Sequence, residues 1–575
     1  VPFFAENQVK SSHGLRGRLT NYGDAEFSLF LRKAFIKAAG YSDDALDRPI
    51  VGIANTYSDF NPCHGNVPQL IEAAKRGVLL SGALPMVFPT ISIHESFASP
   101  TSMYLRNLMA METEEMIRAQ PMDAVILIGG CDKTLPAQLM AAASSEIPAI
   151  FLPTGPMSLG HHKGETLGAC TDCRRYWGRH RAGAIDDAEI AEINNKLVGS
   201  IGTCTVMGTA STMASLVEAM GLSLPMTGTA PATSAERVRL AEGTGRMAAR
   251  LAAEGGPTVR DLLTGDVLHN ALVTLQAIGG STNAVVHLAA ICGRLGLPFD
   301  MALMDRLGAS VPLLVDLQPS GSHYMEHFHQ AGGVPRLLRE LSTLLRMDAP
   351  TVYGGTIGDS AAAAIDVPGQ TVIRNIEAPL KSTGTLAVLK GNLAPRGAVI
   401  KQSAASDRLM QHAGRAVVFD NLEDLANRID SDDLDVQPDD VLVLRNAGPK
   451  GAPGMPEAGY LPIPRKLARQ GVTDMVRISD ARMSGTAFGT IVLHVTPESA
   501  DGGPLAIVRT GDTIALDVPG RTLELQISPE EFASRVAALE PDDGKPRRGY
   551  DRLYHEHVLQ ADSGADFDFM RDLAE

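Results

Sequence analysis

Between about residues 48 and 374 the chain alternates short, wholly apolar runs with segments whose apolar residues recur at helical spacing. Pro49-Ile-Val-Gly-Ile-Ala54, Ala124-Val-Ile-Leu-Ile128 and Ala149-Ile-Phe-Leu152 read as strands buried on both faces, with another over 86–88 and Ile91. Val67–Leu80 and the stretches near 137–143 and 209–220 read as helices. Strand, loop and helix in that order predict parallel βαβ units. After about Lys381 the texture changes to short β-rich runs separated by turns, at 386–389, 416–419, 441–444, 490–493, 513–516 and 522–525. The pattern predicts an α/β domain with a parallel sheet over 1–380 and a compact β-barrel-like domain over 381–575, with the crossover at 366–381.

Composition agrees with a large globular enzyme: 44% of the 575 residues are hydrophobic and 20% charged, and Gly (56) and Pro (35) suit many tight loops. The net charge of −15 argues against nucleic acid or an anionic membrane as partner. A carboxylate substrate would therefore need local cations. No apolar run reaches the roughly 18 residues that span a bilayer. Val1-Pro-Phe-Phe-Ala-Glu6 lacks the basic and apolar regions of a secretory signal. Six cysteines are too few for a disulfide scaffold in so long a chain, so a cytoplasmic protein is expected.

Three cysteines share one kind of setting. Cys63 (Asn61-Pro-Cys-His-Gly-Asn66) follows the first strand, Cys131 (Gly129-Gly-Cys-Asp-Lys-Thr134) joins a strand to a helix, and Cys204 (Gly202-Thr-Cys-Thr-Val-Met-Gly208) precedes another helix. Free cysteines are commonly inert core residues, but three on polar, glycine-rich loops at strand ends point to a shared ligand site. Three thiolates leave one iron of an iron–sulfur cluster open to act as a Lewis acid, whereas four usually make an electron carrier. No fourth cysteine is spaced for the same cluster. Cys170-Thr-Asp-Cys173 reads chiefly as a surface-loop coincidence, with a regulatory disulfide or adventitious metal as alternatives. Cys292 reads as core.

Glu95, Asp132 and Glu457 lie on irregular loops, the last in Gly448-Pro-Lys-Gly-Ala-Pro-Gly-Met-Pro-Glu457. Taken singly, each reads as a solvated or capping acid; together with the cysteines they suit Mg²⁺, which takes oxygen ligands. Ser484, in Asp480-Ala-Arg-Met-Ser-Gly485, sits in no nucleophile elbow and by itself reads as a turn serine.

These segments, with Gly208-Thr-Ala-Ser-Thr212, Gly279-Gly-Ser-Thr-Asn283 and Gly391-Asn-Leu-Ala394, resemble in content and order the dihydroxy-acid/sugar-acid dehydratase family, which includes phosphogluconate dehydratase. The resemblance implies an α/β domain plus a swivelling β-barrel domain, assembled as a homodimer or homotetramer. It implies cluster ligands at Cys63, Cys131 and Cys204, with [2Fe–2S] preferred and [4Fe–4S] admissible. It also implies Mg²⁺ ligands at Glu95, Asp132, carbamylated Lys133 and Glu457, and a base at Ser484. His94 and His287 could touch substrate hydroxyls, although a structural histidine is the plainer reading of each, and Thr486 is a further candidate contact. Ile93-His-Glu95 and Met483-Ser-Gly-Thr486 look more like the aldonate (arabinonate-type) members than the branched-chain biosynthetic enzyme, whose counterparts read Ser-Asp-Gly and Phe-Ser-Gly-Gly. Thr205-Val206 in place of the usual Asn-Thr, and the Cys170/Cys173 pair, depart from the pattern. The function implied is dehydration of a 2,3-dihydroxy sugar acid, such as a pentonate, to the 2-keto-3-deoxy acid. The alternatives are dihydroxy-acid dehydratase of branched-chain biosynthesis and, outside catalysis, an iron–sulfur electron-transfer or sensor protein.

Overall fold

The computed structural model describes residues 13–19, 22–539 and 547–572, so the N-terminal hexapeptide considered above lies outside it. Four parallel strands, β1 (Ile50–Asn55), β2 (Leu84–Pro89), β3 (Ala124–Gly129) and β4 (Ala149–Pro153), form a sheet in the order β2-β1-β3-β4. Val51 stands opposite both Pro85 and Ala124 in this register. All six residues of β3 are buried. That burial explains its unbroken apolar run, because a parallel strand covered on both faces needs no polar side.

Helices α1 (Val67–Leu80) and α2 (Thr134–Ala143) connect these strands. A small antiparallel hairpin, β5 (Gly160–His162) and β6 (Glu165–Leu167), then leads into α3 (Thr171–Arg181) and α4 (Asp187–Asn194). Beyond it come α5 (Thr209–Ala219), α6 (Ala235–Glu254) and α7 (Asn283–Arg294), with no further strand before residue 386 among the described residues. The alternation read as βαβ units up to residue 374 therefore ends at β4. The later apolar runs are helices buried all round, such as α7, whose twelve residues are all buried. Such helices give no periodic cue to tell them from buried strands.

The second region is a closed eight-strand barrel, β10-β11-β12-β8-β7-β14-β13-β9. Its strands are β7 (Leu386–Gly391), β8 (Ala394–Lys401), β9 (Gln411–Phe419), β10 (Val441–Leu444), β11 (Arg477–Ser479), β12 (Ile491–Thr496), β13 (Thr513–Asp517) and β14 (Thr522–Leu525). Closure leaves no free edge. The apolar runs did not announce β8, which opens Ala-Pro-Arg-Gly, or β11, which opens on Arg477. Arg477 is buried and satisfied by Asp474 at 2.6 Å and the Tyr460 carbonyl at 2.9 Å.

After the barrel the chain returns to the first region. Tyr554 on α8 (Gly549–His557) packs with Val558 and Phe567 against Met103 and Val286. Buried Arg294 pairs with Asp566 at 2.7 Å, and buried Arg106 donates to the carbonyls of Gly564 and Ala565 at 2.8 and 3.0 Å. No described helix is long and apolar enough to cross a membrane.

Near the far end of α5, buried Glu218 accepts the Met226 and Gly228 amides, each at 2.7 Å. Burial, only partly offset by those bonds, pushes its carboxyl up to about 7. The folded protein therefore holds a proton between roughly pH 4.5 and 7 that the unfolded chain releases. Stability from this group is full below about 4.5 and is lost as pH rises to about 7, by on the order of 3 kcal/mol. In Glu218→Gln that loss is absent. Chemical denaturation at pH 4.5 and 8 should show the variant gaining on wild type by about that amount at the higher pH; a pH-independent difference would contradict the assignment.

Candidate active site

The strand ends of the first sheet gather the thiols. Cys63 lies in the short turn Pro62–His64 after β1, and Cys131 between β3 and α2; both are buried. Buried His64 ties the two loops together. Its Nδ1 lies 2.8 Å from the Thr56 carbonyl, which makes Nδ1 the donor, and its Nε2 accepts the Gly130 and Cys131 amides, each at 3.0 Å. A Cβ at Gly130 would overlap the Thr154 hydroxyl, so only glycine lets this loop close on its neighbour. Cys63, Cys131 and His94 present ligand atoms within 4.8 Å of one another. The hydrogen bond shared with Cys131, together with burial, holds the Cys63 thiol well above the ordinary range.

Beside the thiols stands an acidic corner in which carboxylate oxygens of Glu95, Asp132 and Glu457 lie within 4.8 Å of one another. Two buried cations neutralise it. The Lys133 ammonium contacts Asp132 and lies 3.6 Å from Glu95. Arg482, 1% exposed, reaches Glu457 at 2.7 Å, Glu95 at 3.1 Å and the Thr101 hydroxyl at 2.7 Å. Burial works to raise the Glu95 carboxyl, but Arg482 and Lys133 outweigh it and hold the group well below the usual range. Glu457 goes the other way, because burial and the charge of Glu95 prevail over Arg482. Sequence reasoning quoted Arg482 within a motif but gave it no role. Its signal was an arginine two residues before Ser484 in the same short motif.

Ser484 lies in the loop after β11 with its Oγ 2.8 Å from the Thr486 Oγ1. Gly485 makes that position possible: a Cβ there would stand 2.5 Å from the Ser281 Oγ and 2.9 Å from the Thr209 amide nitrogen. The Thr486 carbonyl accepts from the Thr171 hydroxyl at 2.9 Å, which pins the start of α3 against the same loop.

One cavity of about 510 Å³ is lined by Cys63, Cys131, Cys204, Glu95, Asp132, Glu457, Ser484, Thr486 and His94. Lys133 lies behind its wall. His287 does not line it; buried with Nδ1 3.2 Å from Arg106, it has an Nε2 without a hydrogen-bond partner among the described residues. Burial and then Arg106 hold its pKa well below the normal value. Cys292 is core, as expected.

Cys170 and Cys173 overturn the surface-loop reading. Both line the cavity, and the Cys170 Sγ lies 2.9 Å from the Cys204 Sγ. A fourth thiol thus stands next to the third proposed ligand. The approach was invisible in sequence because it is made by the β5–β6 hairpin folding α3 back over the site.

Comparison with known proteins agrees with this geometry. Residues 48–360 match the dihydroxy-acid/6-phosphogluconate dehydratase N-terminal model, and residues 371–565 match the C-terminal one. The chain belongs to the dihydroxy-acid/6-phosphogluconate dehydratase family, and it is a hydro-lyase. It is 45% identical to L-arabinonate dehydratase of Rhizobium leguminosarum bv. trifolii (strain WSM2304) over 96% of this chain and 95% of that one. It is 44% identical to 6-deoxy-6-sulfo-D-gluconate dehydratase of Pseudomonas putida, over 92% of each. Against a dihydroxy-acid dehydratase of Carboxydothermus hydrogenoformans (strain ATCC BAA-161 / DSM 6008 / Z-2901) identity is 38%, over 93% of this chain and 97% of that one.

Gly485→Ala should force the Ser484 loop away from α5, costing about 1–3 kcal/mol of stability and displacing the Ser484 hydroxyl. Gly178→Ala, in α3 with open space at its Cβ, is the control and should be neutral or slightly stabilising. Paired thermal melts check this; equal melting points for the two variants would contradict the packing argument.

Proposed function

We propose that the protein removes water from a 2,3-dihydroxy sugar acid, such as a pentonate, to give the 2-keto-3-deoxy acid. The observation that carries this reading is one cavity lined by both soft thiols and hard carboxylates, with Ser484 also on its wall. The donor chemistry fits two separate metal groups. Buried thiols suit an iron–sulfur cluster, for which Cys63, Cys131 and Cys204 are the proposed ligands and [2Fe–2S] the preferred form. Oxygens around one Mg²⁺ at about 2.1 Å lie no more than about 4.2 Å apart. The 4.8 Å grouping of Glu95, Asp132 and Glu457 is close to that spacing. Lys133, as an ammonium, balances these carboxylates; as a carbamate it would join them as an oxygen ligand. When bound, the two groups supply Lewis acidity at the C3 hydroxyl and at the carboxylate with its C2 hydroxyl.

The remaining work falls to the chain. In this reading Ser484 Oγ takes the C2 proton. A neutral hydroxyl is too weak a base, so the charge of the acidic corner's cation must lower its pKa. The Thr486 hydroxyl, 2.8 Å away, can donate to the serine oxygen as its charge grows. The C3 hydroxyl leaves as water, and the enol tautomerises to the 2-keto acid. Arg482 keeps Glu95 ionised and, bonded to both acids, aims Glu95 and Glu457 together.

A polar acid is favoured over the branched-chain precursor by the relatives' names at 44–45% identity against 38%, and by polar groups such as Arg174 and Asn194 on the cavity wall. We place the protein in the cytoplasm, as a homodimer or homotetramer.

A panel of aldonates, 2,3-dihydroxyisovalerate and glycerate, assayed as 2-keto acid semicarbazones with and without Mg²⁺, tests the substrate class. Turnover of aldonates at least about tenfold above the branched-chain acid is expected; the reverse order would establish the alternative. Ser484→Ala should lose about 10²–10⁴-fold in kcat with iron, sulfide and Mg²⁺ contents unchanged. Full turnover in that variant would remove the proposed base.

A further inference from the structure

Cys170 is placed against Cys204 by several features. It is the residue before α3, with φ 87° and ψ −46°, a conformation that side-chain-bearing residues rarely adopt. Such strain persists only where the surroundings over-determine it. The surroundings here do so. Thr171 is bonded to the Ser484 loop, and the Asp172 carboxylate accepts the Gly168 amide at 2.6 Å and the Tyr324 hydroxyl at 3.0 Å. The Cys170 amide itself donates to Cys173 Sγ at 3.3 Å.

The outcome is two pairs of thiols on one cavity. Cys63 and Cys131 form one pair, and Cys170 and Cys204, 2.9 Å apart, form the other. Metal–thiolate bonds of about 2.3 Å put two thiolates on one tetrahedral ion about 3.8 Å apart, so the second pair lies within an ångström of bridging a single ion. Cys173 and Arg174 work to lower the Cys170 thiol, but its contact with Cys204 and its burial prevail and hold it well above the ordinary range, so only a bound metal would make it a thiolate.

We propose that Cys170 is a fourth, displaceable thiolate ligand of the cluster, closing in the substrate-free protein the iron that substrate must reach. This rests on the reading that Cys63, Cys131 and Cys204 hold an iron–sulfur cluster. Substrate binding displaces the Cys170 thiolate, which takes a proton from solvent and returns as a thiol to the position it holds here, hydrogen-bonded to Cys204. The arrangement reconciles four thiols with a lyase: the resting cluster is closed as in an electron carrier and opens only when a hydroxy acid is present. It also shields an otherwise open iron from oxidants and chelators.

The test uses full-length holoprotein loaded with ⁵⁷Fe. Substrate-free wild type should show only thiolate-type iron by Mössbauer spectroscopy, and adding an aldonate should create a distinct iron site. Cys170→Ala should show that distinct site without substrate, and should lose iron to a chelator about tenfold faster, the low end of what removing a supporting group costs a metal site. Cys170→Gly relieves the strained backbone and guards against a folding artefact; it should match Cys170→Ala. Cys173→Ser should keep the wild-type spectrum. A distinct non-thiolate iron already present in substrate-free wild type, or a change in Cys173→Ser but not in the Cys170 variants, would overturn the proposal. Failure of the underlying reading looks different: wild type would contain no iron and sulfide, or Cys63→Ser would retain the full cluster.

Discussion

Bringing three half-buried carboxylates into one corner is the constraint around which this molecule is organised. Unpaired, each would be expensive to bury, and so close together they would repel strongly. Arg482 and Lys133 make the arrangement tenable, the first bridging Glu95 and Glu457 and the second sitting against Asp132. Neither cation reaches solvent. The cost of this design is offset by specificity of place, since the guanidinium reaches two acids brought together from opposite regions of the chain. Exchanging the Lys133 ammonium for a carbamate plus Mg²⁺ would leave the net charge of the corner unchanged. The pocket can therefore be loaded without refolding around a new electrostatic balance.

The same corner locks the two regions to each other. Glu95 and Asp132 come from strand ends of the parallel sheet, while Glu457, Arg482 and Ser484 come from loops of the barrel. No part of the cavity is complete on either side alone. Gly485 and Thr486 show how close the approach is, one pressed on Ser281 and Thr209, the other bonded to Thr171.

Much of this was legible in the sequence because the chemistry sits where motifs are continuous. Gly130-Cys-Asp-Lys-Thr134 fixes a thiol, an acid and a cation on one turn, and the strands flanking it are apolar without interruption. What stayed hidden was made by long-range folding. Cys170 meets Cys204 only because the hairpin ahead of α3 turns it inward. Arg477 on β11 and Arg482 show no role until their partners, Asp474 and the two glutamates, are seen. His287, for which a structural role was the plainer reading, does not line the cavity and is bonded to Arg106. The all-buried helix α7 gave an apolar run with no period to separate it from a strand.

The return of the chain after the barrel has a consequence for assembly during synthesis. Arg294 and Arg106 on the first region wait for Asp566 and the carbonyls of Gly564 and Ala565, which are translated some 270 residues or more later. Because domains generally form in the order they leave the ribosome, the first region spends the synthesis of the barrel with these two guanidinium groups only partly matched, Arg294 by Glu114 and Arg106 by Asn107. Its final packing therefore waits until the segment that follows the barrel docks. A nascent protein stalled in the barrel would be recognisable to the cell's quality control by that unfilled seam.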